Sequence, residues 1–360
     1  MLFFYIQILG VFVGSFLLSL LINSLSLFCL NKKGVAGKND TNGRWSSVSK
    51  PSLGGISMFV SFVAVTAFLF FSSEEGENIF FNKEFLGLFI AGVLAFLMGA
   101  ADDYYNTKPV LKLSIQILCG VIFVFTGNGV DLFHHSFSDG LVTIVWVVGV
   151  MNSLNMLDNM DGITTTVSLF ILLTCATVLL LFGVGNSFVW VIIIIAQIGT
   201  LIGFLFYNIH PSRMFMGDSG SQFLALFVSF FGIKALWNLP ATFEFPSWTS
   251  FFIVLVAFAP AAVDTLTVVI NRKRRGVSIA LGGKDHTTHH LVYKGYTDFK
   301  VWLIFGGISA LSYLLAVQLA YLFMNGHYFY SIIGLLFFLC VFIPMFRNTI
   351  RYPAPDKEKK

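Results

Sequence analysis

The sequence predicts an all-α, polytopic membrane protein with about eleven transmembrane helices, and three observations carry that prediction. Of its 360 residues 56% are hydrophobic and only 11% charged, where a soluble domain carries about 25% charge. The apolar residues, 42 Phe among them, gather into stretches separated by short polar breaks, each long enough to cross a ~30 Å hydrocarbon layer as a helix. Lysine and arginine fall almost wholly on alternate breaks, the asymmetry by which such proteins are oriented. An ordinary soluble enzyme is excluded, and the spans use so much of the chain that 1–360 reads as a single domain.

In order, spans are expected over 2–30, 54–72, 85–101, 111–126, 140–154, 162–183, 187–207, 219–237, 249–270, 300–324 and 328–346. No Lys or Arg precedes Lys32, so the first span lacks the basic leader of a cleavable signal. The N-terminus is then outside and the C-terminus cytoplasmic. On that topology 20 of the 22 Lys and Arg are cytoplasmic, in loops 31–53, 102–112, 208–218 and 271–300 and in the tail. Lys83 lies in an outer loop and Lys234 near the outer end of its span, and Glu74, Glu75, Glu77, Glu84, Asp131, Asp139 and Glu244 fall outside. Cys29, Cys119, Cys175 and Cys340 lie in apolar stretches and read as small core residues, not as a disulfide or metal framework.

The remaining polar residues converge on the inner face. Asp102 and Asp103 close the third span, with Asn106 and Lys112 after them. Adjacent carboxylates repel unless a cation is near, which suits Mg²⁺ or a phosphate acceptor, or else a solvated loop pair. Asn152, Asn155, Asp158 and Asp161 recur every three residues, a slowly drifting polar stripe if the segment is helical. Their oxygens are hard ligands of the kind Mg²⁺ takes while keeping places for water and phosphate. Gly217-Asp218-Ser219-Gly220-Ser221 opens the eighth span; its backbone N–H groups suit a phosphate and Asp218 can hold a metal against it, although Asp and Ser are equally common N-caps. Phe215, just ahead of it, reads as core or as a platform for a base. Between Asn271 and Tyr296 stand Arg272, Lys273, Arg274 and Arg275, then His286, His289 and His290. Such groups anchor topology and, beside a carboxylate–metal centre, suit a pyrophosphate. Zinc on the histidines lacks a supporting thiol or HExxH pattern. Asp264 lies inside the ninth span, open between a structural and a functional role.

Taken together, these motifs resemble the polyprenyl-phosphate N-acetylhexosamine-1-phosphate transferase family, glycosyltransferase family 4. The likeness covers about residues 44–300 and includes Lys50-Pro51-Ser52-Leu53-Gly54-Gly55, which looks like the family's first inner loop. The resemblance implies transfer of N-acetylhexosamine 1-phosphate from a UDP-sugar to undecaprenyl phosphate, giving lipid pyrophosphate sugar and UMP. This would initiate a cell-envelope polysaccharide at the cytoplasmic face of a bacterial plasma membrane. It implies Mg²⁺, with Mn²⁺ as a substitute, held by Asn155 and Asp218. Asp102, Asp103 and Asp158 form the implied catalytic set, the first two handling the acceptor phosphate, with Lys112 on phosphate and Asn106 close by. Asp158 and Asp161 would position the nucleotide, Phe215 would stack on uracil, and Arg274, Arg275, His289 and His290 would read the sugar and diphosphate. Undecaprenyl phosphate, the UDP-sugar and the bilayer are the implied partners, with no nucleic acid and a homodimer left open.

Thr287 stands where the first His of the family's His-x-His-His element aligns, so His286 is left out of the expected set. Asn106 and the run NMLDNMDG favour the UDP-GlcNAc branch over the phospho-N-acetylmuramoyl-pentapeptide branch, which is the alternative. An ion-coupled secondary transporter is a remote alternative; it calls for binding groups near the midplane and two matching halves, whereas these acids cluster at the inner ends.

Overall fold

The computed structural model describes residues 2–33, 50–72, 82–183, 187–279 and 282–354. Glu74, Glu75 and Glu77 of the expected outer loop, Lys38 and Arg44 of the first inner loop, and Lys357, Lys359 and Lys360 of the tail lie outside those residues.

The chain is a bundle of helices: α1 (Leu2–Lys33), α2 (Gly54–Ser72), α3 (Lys83–Tyr105), α4 (Pro109–Phe125), α5 (Ser136–Leu157), α6 (Ile163–Phe182), α7 (Ser187–Asn208), α8 (Gly217–Gly232), α9 (Leu239–Phe243), α10 (Thr249–Ala257), α11 (Ala259–Arg274), α12 (Thr287–Tyr293), α13 (Asp298–Met324) and α14 (Ser331–Arg351). A π-helical turn, Ile233–Trp237, joins α8 to α9. Among the described residues the sole β-type pairing is an isolated bridge between Ser52 and Phe215. It is a polytopic all-α membrane protein, as its apolar stretches require, because a helix closes its own backbone hydrogen bonds where no water is available.

Every expected span has its helix, with two corrections. Among the described residues nine helices are long and apolar enough to cross a membrane, and ten with the pair α10 and α11 taken as one. That pair is the expected straight span 249–270, which instead bends by 82°. The break falls at Phe258, and Pro260 stands in the first turn of α11, where a ring without an N–H is tolerated but cannot continue a preceding helix. The other correction is α4, whose 17 residues reach only about 25 Å at 1.5 Å per residue.

At the centre is α8, buried along its whole length except for Asp218. It packs against α2, α3, α5 and α6. Phe223, Phe227, Phe230 and Phe231 supply its bulk, with Phe227 edge-on to Phe62 at 5.9 Å and Phe230 edge-on to Phe123 at 5.4 Å. Its first turn is approached by glycines instead. A Cβ on Gly99 of α3 would strike the Asp218 carbonyl group and come within 2.6 Å of Ser219 Cα, and one on Gly55 of α2 would meet Gly220 Cα at 2.6 Å. Helices in lipid gain from such close backbone approach through van der Waals packing. Here it brings the end of α3 directly onto the start of α8.

Gly99→Ala must push α3 off that turn. A loss of roughly 1–3 kcal/mol is expected for an overpacked contact between two backbones, read as a lower unfolding temperature in detergent, whereas Gly10→Ala, which meets nothing within 4 Å, should leave it in place.

Candidate active site

The acids converge because helix ends converge. α3 finishes with Asp102 and Asp103 and closes at Asn106, an exposed residue in the left-handed region (φ 50°) whose N–H donates to the Asp102 carbonyl. Thr107 donates to Asp102 Oδ1 through its N–H (2.8 Å) and its hydroxyl (2.6 Å). Asp102 Oδ2 is thereby turned to Lys112, on the first turn of α4, with which it forms an ion pair. The same ammonium reaches Asp218 Oδ2 at 3.3 Å. Asp218 Oδ1 accepts from Asn155 Nδ2 at 2.9 Å, and that amide also donates to Ser221 Oγ at 2.8 Å. One lysine thus joins the two carboxylates, and one amide ties the second to α5.

Asp103 faces the other way. Its two oxygens accept from the N–H groups of Asp218 (2.8 Å) and Ser219 (2.9 Å), which makes it the cap of α8, supplied from another helix. The backbone donors expected to meet a substrate phosphate are therefore occupied by a carboxylate of the protein, placed where the helix dipole favours negative charge. A turn deeper, Asn152 Nδ2 donates to Gln116 Oε1 at 2.7 Å and Gln116 Nε2 to Gln222 Oε1 at 3.2 Å. In this chain of amides Gln116 and Gln222 are buried and Asn152 is exposed.

The expected helical stripe is cut short. α5 ends at Leu157 with Asp158 as its C-cap, and Gly162, at φ 75°, starts α6. Asp161 thus stands on a turn, where it gathers Lys50 Nζ (3.4 Å), His210 Nδ1 (3.2 Å), the Ser212 N–H (3.0 Å) and the Ser212 hydroxyl (2.7 Å). That knot holds the segment leading to Phe215. Phe215 N–H donates to the Pro51 carbonyl at 2.9 Å, its carbonyl accepts from Gly54 at 3.1 Å, and Lys50 Nζ lies 5.1 Å from its ring centroid.

The Arg/His loop forms a second, separately braced cluster. Asp264, fully buried on α11, accepts from His286 Nδ1 (2.8 Å) and from the N–H (2.8 Å) and hydroxyl (2.6 Å) of Thr287. Asp285 takes a two-pronged contact from the buried Arg272 (3.1 and 2.6 Å) and a third bond from Arg275 (2.5 Å). Burial alone would raise the Asp285 carboxyl, but the bonds and charge of Arg272, then Arg275, outweigh it and hold the carboxyl well below the usual range. His289 Nδ1 accepts from the His286 N–H at 3.3 Å, and His290 Nδ1 donates to the Tyr352 carbonyl at 2.6 Å. Burial first, then the charge of His286, lowers the His289 imidazole to about 3; burial also lowers that of His290. Arg274 is exposed. Thr288 Oγ1 donates to Asn159 Oδ1 at 2.7 Å, tying this loop to the turn beside Asp158.

Among the described residues no three His, Cys, Asp or Glu side chains form a preformed metal cage. A divalent ion would rest on Asp218 and the Asn155 carbonyl, where Lys112 already marks a seat for positive charge. An oxygen set with few protein ligands suits Mg²⁺, which keeps its waters and binds phosphate.

Residues 85–236 match the family model described as glycosyl transferase family 4. A probable undecaprenyl-phosphate N-acetylglucosaminyl 1-phosphate transferase of Bacillus subtilis (strain 168) is 26% identical over 299 residues, 81% of this chain and 78% of that protein. The phospho-N-acetylmuramoyl-pentapeptide-transferase of Streptococcus pneumoniae (strain 70585) is 28% identical over 307 residues, 79% and 88% of the two chains. That of Prochlorococcus marinus (strain MIT 9301) is 25% identical over 334 residues, 86% and 89%. The chain is thus similar to glycosyl transferase family 4 over residues 85–236 and to these relatives over most of its length.

The sequence places Asp102, Lys112, Asn155 and Asp218 together, and they do meet. It missed Thr107, Lys50, His210 and Ser212 as the holders of Asp102 and Asp161, and Arg272 with Asp285 as the fixed core of the Arg/His loop. Signals were available: Asp285 follows a basic run by ten residues, and a buried arginine needs a carboxylate.

The histidines give this protein a pH dependence of stability. With both folded values depressed, the unfolded chain binds more protons below its ordinary value of about 6.5, so stability is present above that pH and lost as pH falls toward the folded values. A lower unfolding temperature is expected from about pH 7.5 to about pH 5, steepening by up to about 1.4 kcal/mol per pH unit per histidine. His289→Gln should flatten the slope; an unchanged slope in that variant would exclude His289 as its source.

Proposed function

We propose that the protein transfers an N-acetylhexosamine 1-phosphate, GlcNAc 1-phosphate in our reading, from a UDP-sugar to undecaprenyl phosphate. The active site faces the cytoplasm at a bacterial plasma membrane, and the product primes a cell-envelope polysaccharide. The observation that carries this reading is the Lys112 ammonium between the carboxylates of Asp102 and Asp218, a seat for charge beside the lipid phase. The names of the relatives in both branches agree with the reaction class.

A phosphate oxygen of the lipid attacks the sugar-bearing phosphorus of the donor. The new P–O bond completes the lipid pyrophosphate, and the bond to the bridging oxygen of UMP breaks, so UMP leaves with the electron pair. Little covalent chemistry falls to the protein; its task is to hold two anions together in line. Mg²⁺, or Mn²⁺ in its place, held by Asn155 and Asp218, supplies neutralisation of the pyrophosphate. Lys112 receives the acceptor phosphate with Asn106 at the rim, and Asp102 orients Lys112. Asp103 acts by fixing the first turn of α8 and with it Asp218. Asp161 secures the Phe215 segment, Phe215 offers a ring face to uracil, and Asp158 lies on the nucleotide side. Arg274, Arg275, His289 and His290 belong to the loop assigned to sugar and diphosphate. An apolar groove of about 320 Å³ at the α10–α11 bend, lined by Val145, Trp146, Gly149, Phe258, Ala262 and Leu266, offers a path for the prenyl chain.

The direct test is UMP release from purified protein given Mg²⁺, undecaprenyl phosphate and, in parallel, UDP-GlcNAc, UDP-GalNAc and UDP-MurNAc-pentapeptide. Release with UDP-GlcNAc is expected; release with the pentapeptide donor alone would move the protein to the other branch, and no release with folded protein would defeat the reading. Asp218→Ala should abolish turnover while the protein remains folded, and normal Mg²⁺-dependent turnover by that variant would remove the metal assignment.

Phe215→Ala should raise KM for the UDP-sugar by roughly 5- to 150-fold, the worth of one stacked base, with a much smaller change for the lipid; equal losses for both would count against stacking.

A further inference from the structure

At the same end of the bundle as the acids, but on the far side of the His-bearing helix, a cavity of about 640 Å³ opens between α12, α13 and the last turns of α14. Lys294, Arg347 and Arg351 line it, and among the described residues no carboxylate does. Lys294 lies over the Tyr296 ring at 5.3 Å and Arg351 over the Tyr352 ring at 5.9 Å. Among the described residues none of the three cations has an ion-pair partner. Each helix end favours a cation on its own account. Bringing two such ends together nevertheless sets three like charges around one cavity, a repulsion that a bound anion relieves.

We propose that this cavity binds the phosphate headgroup of an anionic phospholipid from the surrounding bilayer. The walls decide between a lipid and a free anion. Ile304, Ile343 and Ile350 are part of the same cavity, and Ile343 and Ile350 are 47% and 54% exposed on the outer face of α14. A phosphate on the cations thus has its acyl chains beside apolar helix surface, the arrangement of basic pockets at the cytoplasmic ends of membrane helices. Occupancy would bear on the active site through two bonds. Tyr352 accepts from His290 at 2.6 Å, and Thr349 Oγ1 accepts from Asn271 Nδ2 at 2.8 Å, so the end of α14 braces both α12 and α11. The proposal does not depend on the sugar-phosphate reaction, because its readout is lipid retention.

The test is native mass spectrometry of the full chain, delipidated in neutral detergent and then given phosphatidylglycerol, phosphatidylcholine or inorganic phosphate. Retention of phosphatidylglycerol over phosphatidylcholine is expected, falling about fivefold for each cation removed in Lys294→Gln, Arg347→Gln and Arg351→Gln. The single variants change exposed side chains and keep the test open if the triple variant does not fold. Equal retention of phosphatidylcholine, or undiminished phosphatidylglycerol in the variants, overturns the site. Phosphate ion competing as well as the lipid overturns the assignment to a phospholipid.

Discussion

The constraint on which the rest of the structure depends is the first turn of α8. A helix buried at every position but one must still satisfy its leading N–H groups where water is scarce, and an unsatisfied donor there costs several kcal/mol. Asp103 meets two of them from α3. That is possible only because Gly99, one turn earlier on α3, lets the two backbones touch. The close crossing fixes where α3 ends, and with it where Asp102 presents Oδ2 to Lys112. From there Lys112, Asp218 and Asn155 follow as a short series of charged and amide contacts, each carried by a different helix.

The 82° bend between α10 and α11 performs the complementary task on the other side of the site. A straight span would carry Asp264 through apolar surroundings with no partner. By turning at Phe258, the chain lays α11 beside α5, where Ser153 donates to the Ala261 carbonyl at 3.1 Å, and brings Asp264 under the start of α12. One carboxylate then organises both His286 and Thr287, so an intramembrane acid becomes the foundation of a loop. The Arg272–Asp285 pair closes the same loop at its other end, and such a buried pair holds shape more than it adds stability.

The fold was readable because span-length apolar runs need no periodicity to be recognised, and each expected span found a helix. The break at Phe258 escaped because VAFAPAAV is apolar throughout, although Pro260 marks it to the residue. In the site, Asp102, Lys112, Asn155 and Asp218 were legible since charged and amide side chains beside a membrane are costly without a use. Asp103 was not separable from Asp102 by sequence, as adjacent residues at a helix end point apart and only the partner helix decides which one caps. Asp158 and Asp161 were read onto a helix that stops at Leu157; Gly162, which adopts a left-handed backbone, was the sign of the turn. The pairs Asp264–His286 and Arg272–Asp285 span 22 and 13 residues, and no local pattern announces them.

Charge balance explains why the site takes this form. Asp102, Asp103 and Asp218 crowd one small volume, answered by a single ammonium and by the positive end of α8. The N-terminus of a helix contributes about half a charge, and Asp103 already occupies it, so Asp102 and Asp218 share one lysine. A site left with excess negative charge attracts a cation before it attracts a phosphate, and two phosphates add to the deficit. Positive charge must therefore come from outside the acid cluster. Arg272, Arg274 and Arg275 stand at the end of α11, at the start of a segment tied to that cluster through Thr288 and Asn159, with Asp285 keeping Arg272 and Arg275 in place and Arg274 left at the surface. Each cluster is thus partly neutralised within itself, Lys112 by Asp102 and Asp218, and Arg272 with Arg275 by Asp285, so the acid cluster and the arginine cluster carry their residual charge on separate elements.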